Sequence, residues 1–234
     1  MPRDQGPQLR LVEHEGFSLL LDLGSGAFGS LVALADPAAV DAVHLSHLHA
    51  DHCLDVAPFI VWHRYSGQSV RRPVPLFAPD GAARRLALAY DVDGGPITDV
   101  FDVVRVGVGD WSVGPFSVRT ARTAHPVECH AVRLTAGGRS LVYTGDTGPS
   151  AAVEELARGA DVLLAEASFP DVPGSPPGLH LTGREAGELA AAAGVGRLLV
   201  THVPAWVDPQ VQLASARVAF PAAELARHAA VYDI

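Results

Sequence analysis

The sequence predicts an α+β fold in which two packed, mixed β-sheets are flanked by helices. Three observations carry that expectation. Short apolar runs of strand length crowd both halves of the chain, with helical stretches interspersed among them. Residues with metal-ligand chemistry close several of these runs at their C-terminal ends, where sheet-based folds gather their sites. At 234 residues, 48% of them hydrophobic, the chain can fill one sizeable two-layer core, so a single domain over residues 1–234 is expected.

In chain order, strands are expected at 17–23, 41–46, 74–78, 101–106, 115–124, 129–136, 140–144, 161–166, 197–201 and 229–233, each an apolar or alternating run. Helices are expected at 54–65, 80–90, 150–158, 183–193 and 209–218. The helix at 183 has the clearest limits. Thr182 as N-cap with Glu185 three residues later forms a capping box, an Ala-rich run follows, and Gly194 ends it. The sequence holds no internal repeat, and no low-complexity linker beyond Pro170–Gly178.

Between residues 47 and 52 the chain reads His-Leu-His-Ala-Asp-His, after the apolar Ala42, Val43 and Leu45. His47, His49, Asp51 and His52 cannot all face one way. On a strand-to-loop turn, His47 and His49 share a face by the period of two, while Asp51 and His52 turn past the strand end to a second centre. Imidazoles with one or two carboxylates suit zinc, or manganese and iron, better than calcium or magnesium. A merely solvated His-rich loop fits poorly with so tight a spacing after an apolar strand. Three further candidates each end a strand-like run: His125 after Ser117–Ala124, Asp146 after Ser140–Tyr143, and His202 after Arg197–Thr201. Alone, each would be an ordinary loop residue; with the first cluster they fit a two-metal site.

On these residues the chain resembles a metallo-β-lactamase-fold hydrolase. Within that superfamily it is most similar to the ribonuclease Z-like phosphodiesterase branch, particularly to small bacterial proteins described as atypical class II cyclic-AMP phosphodiesterases. The likeness runs from Leu19-Leu20-Leu21-Asp22-Leu23-Gly24 to the final strand. His47-x-His49-x-Asp51-His52 marks the superfamily. Asp51-His52-Cys53-Leu54-Asp55, Thr144-Gly145-Asp146-Thr147 and His180-Leu181-Thr182 point to the narrower branch. The resemblance implies a four-layer αβ/βα arrangement and two divalent cations, zinc first, with manganese or iron as alternatives. It implies that His47, His49 and His125 hold one cation, that Asp51, His52 and His202 hold the other, and that Asp146 bridges them. Relatives usually open with an apolar strand and a glycine-rich turn before the segment matching Leu9–Val12. Here eight residues precede it, three of them Pro or Gly, so the family's first strand is expected to be missing or replaced. An open sheet edge there would admit a homodimer.

A competing motif is Gly24-Ser25-Gly26-Ala27-Phe28-Gly29, which spells the Gly-x-Gly-x-x-Gly of dinucleotide-binding folds and follows a strand. A helix after Ser30 would have to stop before Asp36-Pro37, about one and a half turns at ~3.6 residues per turn. The next strand ends in histidines, not in a lone ribose-binding acid. The glycines are therefore expected to form a tight turn beneath the metal site.

Composition points to a cytoplasmic enzyme. No apolar stretch approaches the ~18 residues that a membrane span needs, and the start lacks the charged-then-apolar pattern of a secretory signal. Cys53 and Cys129 are too few for a disulfide framework, and Cys53 is read as a small buried thiol. The net charge is −9, and the paired basics are Arg71-Arg72 and Arg84-Arg85, which disfavours a grip on long nucleic acid.

The expected function is a metal-dependent phosphodiesterase that hydrolyses small cyclic nucleotides such as 3′,5′-cyclic AMP through a water activated between two cations. The resemblance places Asp51 to orient that water and accept its proton. His180, needed in neither coordination set, is free to protonate the leaving alkoxide. Glu166, ending Val162–Ala165, is a candidate acceptor for His180 or His202. The helix N-terminus at Thr182 and Gly183 is a candidate phosphate contact. A ribonuclease Z-like tRNA 3′-end endonuclease is the alternative, but the chain has no basic, glycine-rich insertion to clamp tRNA. A glyoxalase-type thioesterase would carry glycines where this chain has Cys53-Leu54, and a non-catalytic binding module would have lost ligands that are all present. His14, His44, His63, His130 and His228 have no motif context and are read as structural.

Overall fold

The computed structural model describes residues 6, 8–67, 73–171, 176 and 178–234. The pair Arg71-Arg72, residues 1–5 and 7 of the N-terminal segment, and much of Pro170–Gly178 lie outside the described residues. The chain divides into two compact units, Pro7–Val106 and one built mainly from Gly107–Ile234. Among the described residues, no helix is long and apolar enough to cross a membrane.

The first unit holds β1 (Arg10–His14), β2 (Phe17–Leu21), β3 (Ala42–His44), β4 (Val74–Ala78) and β5 (Phe101–Arg105), paired in that order in one sheet. Glu15 and Gly16 both have positive φ, which matches the strand twist and folds β1 back antiparallel to β2. The other pairs are parallel, so each needs a crossover. These are α1 (Ala27–Leu34), α2 (Ala50–Cys53) with α3 (Val56–Tyr65), and α4 (Ala82–Tyr90). Their apolar faces close a core of Leu20, Leu31, Val43, Ile60, Leu76 and Leu86, with the Phe59 ring 5.3 Å from that of Phe101.

The second unit holds β6 (Gly109–Val113), β7 (Phe116–Arg122), β8 (His130–Ala136), β9 (Arg139–Tyr143), β10 (Val162–Glu166), β11 (Arg197–Thr201) and β12 (Glu224–Leu225). Their order across the sheet is β12-β11-β10-β9-β8-β7-β6. The strands β6 to β9 form an antiparallel meander, and β7 alternates buried and exposed residues as a one-sided strand should. From β9 to β12 pairing is parallel, through α5 (Ala151–Ala157), α6 (Gly183–Ala193) and α7 (Pro209–Ala216). Every residue of β10 is buried, which is why that strand reads as a continuous apolar run. The expected capping box is present, with Thr182 accepting from the Glu185 amide, and Gly194 ends α6 in the left-handed region at φ 64°.

Several elements depart from expectation. Helix α1 grows directly out of the glycine motif, because Gly26 takes φ 85° and lets the helix start at Ala27, not after Ser30. Gly24 does serve as a close approach: a Cβ there would lie 1.5 Å from the Asp51 carbonyl oxygen. The Phe28 amide, one of the donors that a pyrophosphate would need, is given to the Asp55 carboxylate at 2.8 Å. Strands β1, β6 and β12 were not expected; β6 carries Gly109 and Asp110, poor strand formers, and β12 has two residues. The expected strand at 229–233 does not form. Instead the Tyr232 hydroxyl accepts from the Arg227 amide and the Arg197 guanidinium lies 5.0 Å from its ring centroid, leaving Val231 exposed. Finally, β3 stops at His44, because the Ser46 amide donates to the Asp22 side chain at 2.7 Å instead of to a neighbouring strand.

Helices α6 and α7 meet through glycine: a Cβ on Gly187 would lie 2.2 Å from the Ala216 carbonyl oxygen, whereas one on Gly29 of α1 meets nothing within 4 Å. Gly187→Ala should therefore destabilise by about 1–3 kcal/mol through overpacking. Gly29→Ala should stabilise by about 0.5–1 kcal/mol through helix propensity. Thermal melting of both variants checks this; a shift of the same sign for both would contradict the packing.

Candidate metal centre

In the first unit the ligand candidates follow the C-terminal ends of β2 and β3. His47 lies past β3 and His49 caps α2, so the two imidazoles meet from a loop and a helix start and not from alternate strand positions. Their ring centroids are 4.7 Å apart, and those of His47 and His52 are 4.1 Å apart. Asp51 and His52 sit on the single turn of α2, with the Asp51 carboxylate 3.7 Å from His52 Nε2. Asp51 is largely exposed, whereas His47 and His52 are fully buried.

Asp22 organises this cluster. It is buried, takes φ 57°, and accepts from the Ser46 amide at 2.7 Å, the Ser46 hydroxyl at 2.9 Å and His52 Nδ1 at 2.7 Å. Burial alone would raise its carboxyl, but the neighbouring His52 and His47 and the Ser46 amide hold it below the usual carboxylate value. The bonds also fix proton positions. A carboxylate can only accept, so His52 carries its proton on Nδ1. The single Ser46 hydroxyl proton goes to Asp22, so His47 Nδ1, 3.1 Å from that oxygen, must donate to it. Both imidazoles thereby present Nε2 as the metal-binding atom.

The second unit repeats the device. Strands β9, β10 and β11 run parallel, so Asp146, Glu166 and His202 emerge on one edge, with Glu166 in register with Thr201. His202 takes φ 54°, an uncommon conformation for a non-glycine residue. The Ser168 hydroxyl donates to the His202 carbonyl at 2.8 Å, so His202 Nδ1, 2.9 Å from the same oxygen, donates back. Asp146 Oδ1 lies 3.2 Å from that nitrogen. His125 Nδ1 lies 3.0 Å from the Leu179 carbonyl and must donate there. His125 and His202 are thus also set with Nε2 as the coordinating atom.

Asp146, Glu166, His180 and His202 each place a ligand atom within 4.8 Å of one another. Geometry separates their roles. Glu166 is fully buried, and its oxygens accept from the Thr147 amide at 2.6 Å, the Ser168 amide at 3.2 Å and His180 Nδ1 at 2.9 Å. Burial pushes this carboxyl up, the bond from His180 opposes that, and the Asp146 charge adds to it. With its lone pairs taken by backbone and imidazole, Glu166 acts as an acceptor that orients His180. The sequence left His180 and His202 open as its partner; Glu166 accepts from His180. His180 itself is partly exposed, with the Phe169 ring edge-on at 4.9 Å.

Two other expectations resolve. The Thr182 and Gly183 amides expected to meet a phosphate are already taken: the Thr182 amide donates to Glu185 and the Gly183 amide to Gln212 Oε1. Cys53 is buried and its thiol is pushed up to about 11 by that burial, so it is a packing residue. Asp22, Ser46 and Ser168 were missed as site residues. Asp22 carried the same signal as Asp146 and His202, a polar residue closing an apolar strand; the serines carried none.

The donor set within each unit fits a divalent cation: imidazoles fixed as Nδ1–H tautomers, accompanied by the Asp51 and Asp146 carboxylates. Comparison with known proteins agrees. The Beta-lactamase superfamily domain profile matches residues 19–203. An uncharacterized protein of Mycobacterium leprae is 44% identical over 207 residues, 86% of this chain and 72% of its own length. The probable metallo-hydrolase YhfI of Bacillus subtilis is 31% identical over 208 residues, 83% of this chain and 78% of its own. The YhfI crystal structure superposes with a TM-score of 0.84, covering 97% of this chain and 92% of that one, at 27% identity. Human tRNase Z, short form, gives 0.73 at 18% identity, covering 87% and 88%. A diphosphatase from the PhnP family gives 0.69 at 21% identity, covering 93% and 80%. The chain has the metallo-β-lactamase α+β fold and belongs to the β-lactamase superfamily.

Proposed function

We propose that the protein is a metal-dependent phosphodiesterase acting on small cyclic nucleotides, with 3′,5′-cyclic AMP the first substrate to test. In this reading His47, His49, His125, Asp51, His52, His202 and Asp146 would hold two divalent cations, zinc first. When bound, such a pair supplies an acidified water and positive charge against the non-bridging phosphate oxygens. Asp51, the exposed carboxylate of the cluster, orients a water and takes up its proton.

The observation that carries the reading is the bond from His180 Nδ1 to buried Glu166. In this reading Nε2 meets substrate, and the adjacent carboxylate stabilises the imidazolium that must precede proton donation. Such an acid matters most when the leaving group is a poor one, such as the alkoxide released from a cyclic nucleotide. The tRNase Z and diphosphatase neighbours are named for cleavage of phosphate linkages, which supports phosphoester chemistry over thioester chemistry. A net charge of −9 favours a small substrate over a long polyanion.

Side-by-side assays of zinc-loaded protein on cyclic AMP and on a precursor tRNA decide between the two phosphodiester readings. Cyclic-AMP turnover is expected; efficient tRNA cleavage without it would overturn the choice.

His180→Ala should keep two metal ions per chain by elemental analysis while turnover of cyclic AMP falls by roughly 10²–10⁴. Its loss on bis(p-nitrophenyl) phosphate should be much smaller, because that leaving group needs little protonation. His47→Ala and Asp146→Ala should instead lose metal and both activities together. Equal losses on both substrates in His180→Ala, with metal retained, would mean that His180 positions phosphate and is not the proton donor.

A further inference from the structure

We infer that Gln212 is a positioning residue for His180, acting as a clamp on the two backbone segments that hold that imidazole. The inference rests on the reading of His180 as proton donor. Helix α7 turns its pattern inside out at this point: Val211 is exposed, and Gln212 is 1% exposed. A buried primary amide is costly unless both ends are bonded, and here both are. Its Oε1 accepts from the Gly183 amide at 2.9 Å, and its Nε2 donates to the Phe169 carbonyl at 2.7 Å. The approach is direct because position 183 has no side chain; a Cβ there would lie 2.2 Å from the Gln212 carbonyl oxygen.

Those two contacts bracket His180. Phe169 follows the segment that carries Glu166 and Ser168, its amide donates to the Leu181 carbonyl at 3.0 Å, and its ring lies edge-on to His180. Gly183 opens α6 immediately after His180-Leu181-Thr182, and Thr182 is bridged to Phe169. One side-chain amide thus ties the segment bearing the acceptor Glu166 to the segment bearing the donor His180. The 2.9 Å bond between them depends on that spacing. Gln212 is buried with both ends of its amide bonded to backbone, so its effect passes through the alignment of His180.

The test uses Gln212→Met, which keeps length and loses both bonds, and Gln212→Glu, which keeps an acceptor for Gly183 but loses the amide donor to Phe169. Each is measured in the otherwise intact zinc-loaded protein and combined with His180→Ala, on cyclic AMP and on bis(p-nitrophenyl) phosphate, with metal content determined. Gln212→Met should lower kcat on cyclic AMP by about 10–100-fold, the loss expected when a catalytic group is displaced by about an ångström. Hydrolysis of bis(p-nitrophenyl) phosphate and metal content should change little, and Gln212→Glu should fall between Gln212→Met and the unsubstituted protein. In the His180→Ala background neither substitution should cost anything further, because the group it positions is already gone. Additive losses there, or equal losses on both substrates, would reduce Gln212 to a structural residue. If Gln212→Met fails to fold, Gln212→Glu decides by the same criteria. Proton NMR of the metal-free protein separates this from the proposed reaction. The His180 Nδ1–H resonance, assigned by its loss in His180→Ala, should weaken or vanish in the Gln212 variants. Its persistence unchanged would overturn the inference even if His180 proves to be the proton donor. Its loss would sustain the positioning role even if His180 proves to have another task.

Discussion

The constraint on which the candidate site depends is the fixing of imidazole protons by buried acceptors. A histidine binds a cation through an unprotonated nitrogen, and a free imidazole in water divides its proton between two tautomers. Asp22 accepts from His52, Ser46 oxygen from His47, Ser168 oxygen from His202 and the Leu179 carbonyl from His125. Each acceptor is a group that either has no proton to give or has already given it elsewhere. The same device, applied by Glu166 to His180, orients an imidazole outside the proposed ligand set. Two carboxylates, Asp22 in one unit and Glu166 in the other, serve as such acceptors, both buried and both with several donors. Burial without those donors would be prohibitive for a charged group.

Sheet topology supplies the positions. In each unit the strands that carry site residues run parallel, so their C-terminal ends lie on one edge. Crossover helices must return each chain to that sheet, and the turns before them are where polar groups collect. Packing then narrows the choice of residue. Gly24 has no Cβ because the Asp51 carbonyl occupies that space, and Gly183 has none because α7 lies against it. The glycine motif that imitates a dinucleotide fingerprint is therefore a packing feature of the ligand loop, with Asp55 bonded to the Phe28 amide at the start of α1.

Much of this was legible in the sequence for identifiable reasons. Strands such as Val162–Glu166 and Arg197–Thr201 are buried on both faces and read as unbroken apolar runs. The α6 limits were readable because Thr182, Glu185 and Gly194 are local signals that need no tertiary context. What was hidden depended on partners distant in sequence. Helix α1 starts earlier than a Pro-and-Gly reading allows, because its first turn is capped by Asp55, 27 residues from Phe28. The roles of Ser46 and Ser168 follow from hydroxyl bonds to Asp22 and to His202, and the Gly183 amide that opens α6 is taken by Gln212, whose burial reverses the hydrophobic pattern of its own helix. The tail at 229–233 looked like a strand by composition but lies against Arg197 through Tyr232.

The central claim is that the fold sets the ligand tautomers before any cation arrives. Long-range nitrogen–proton correlation NMR of the metal-free protein, with resonances assigned by single substitution, tests it most directly. The account predicts that His47, His52, His125 and His202 each carry the proton on Nδ1. An Nε2–H tautomer at His52 or His202, whose Nδ1 atoms face Asp22 and Ser168, would contradict it.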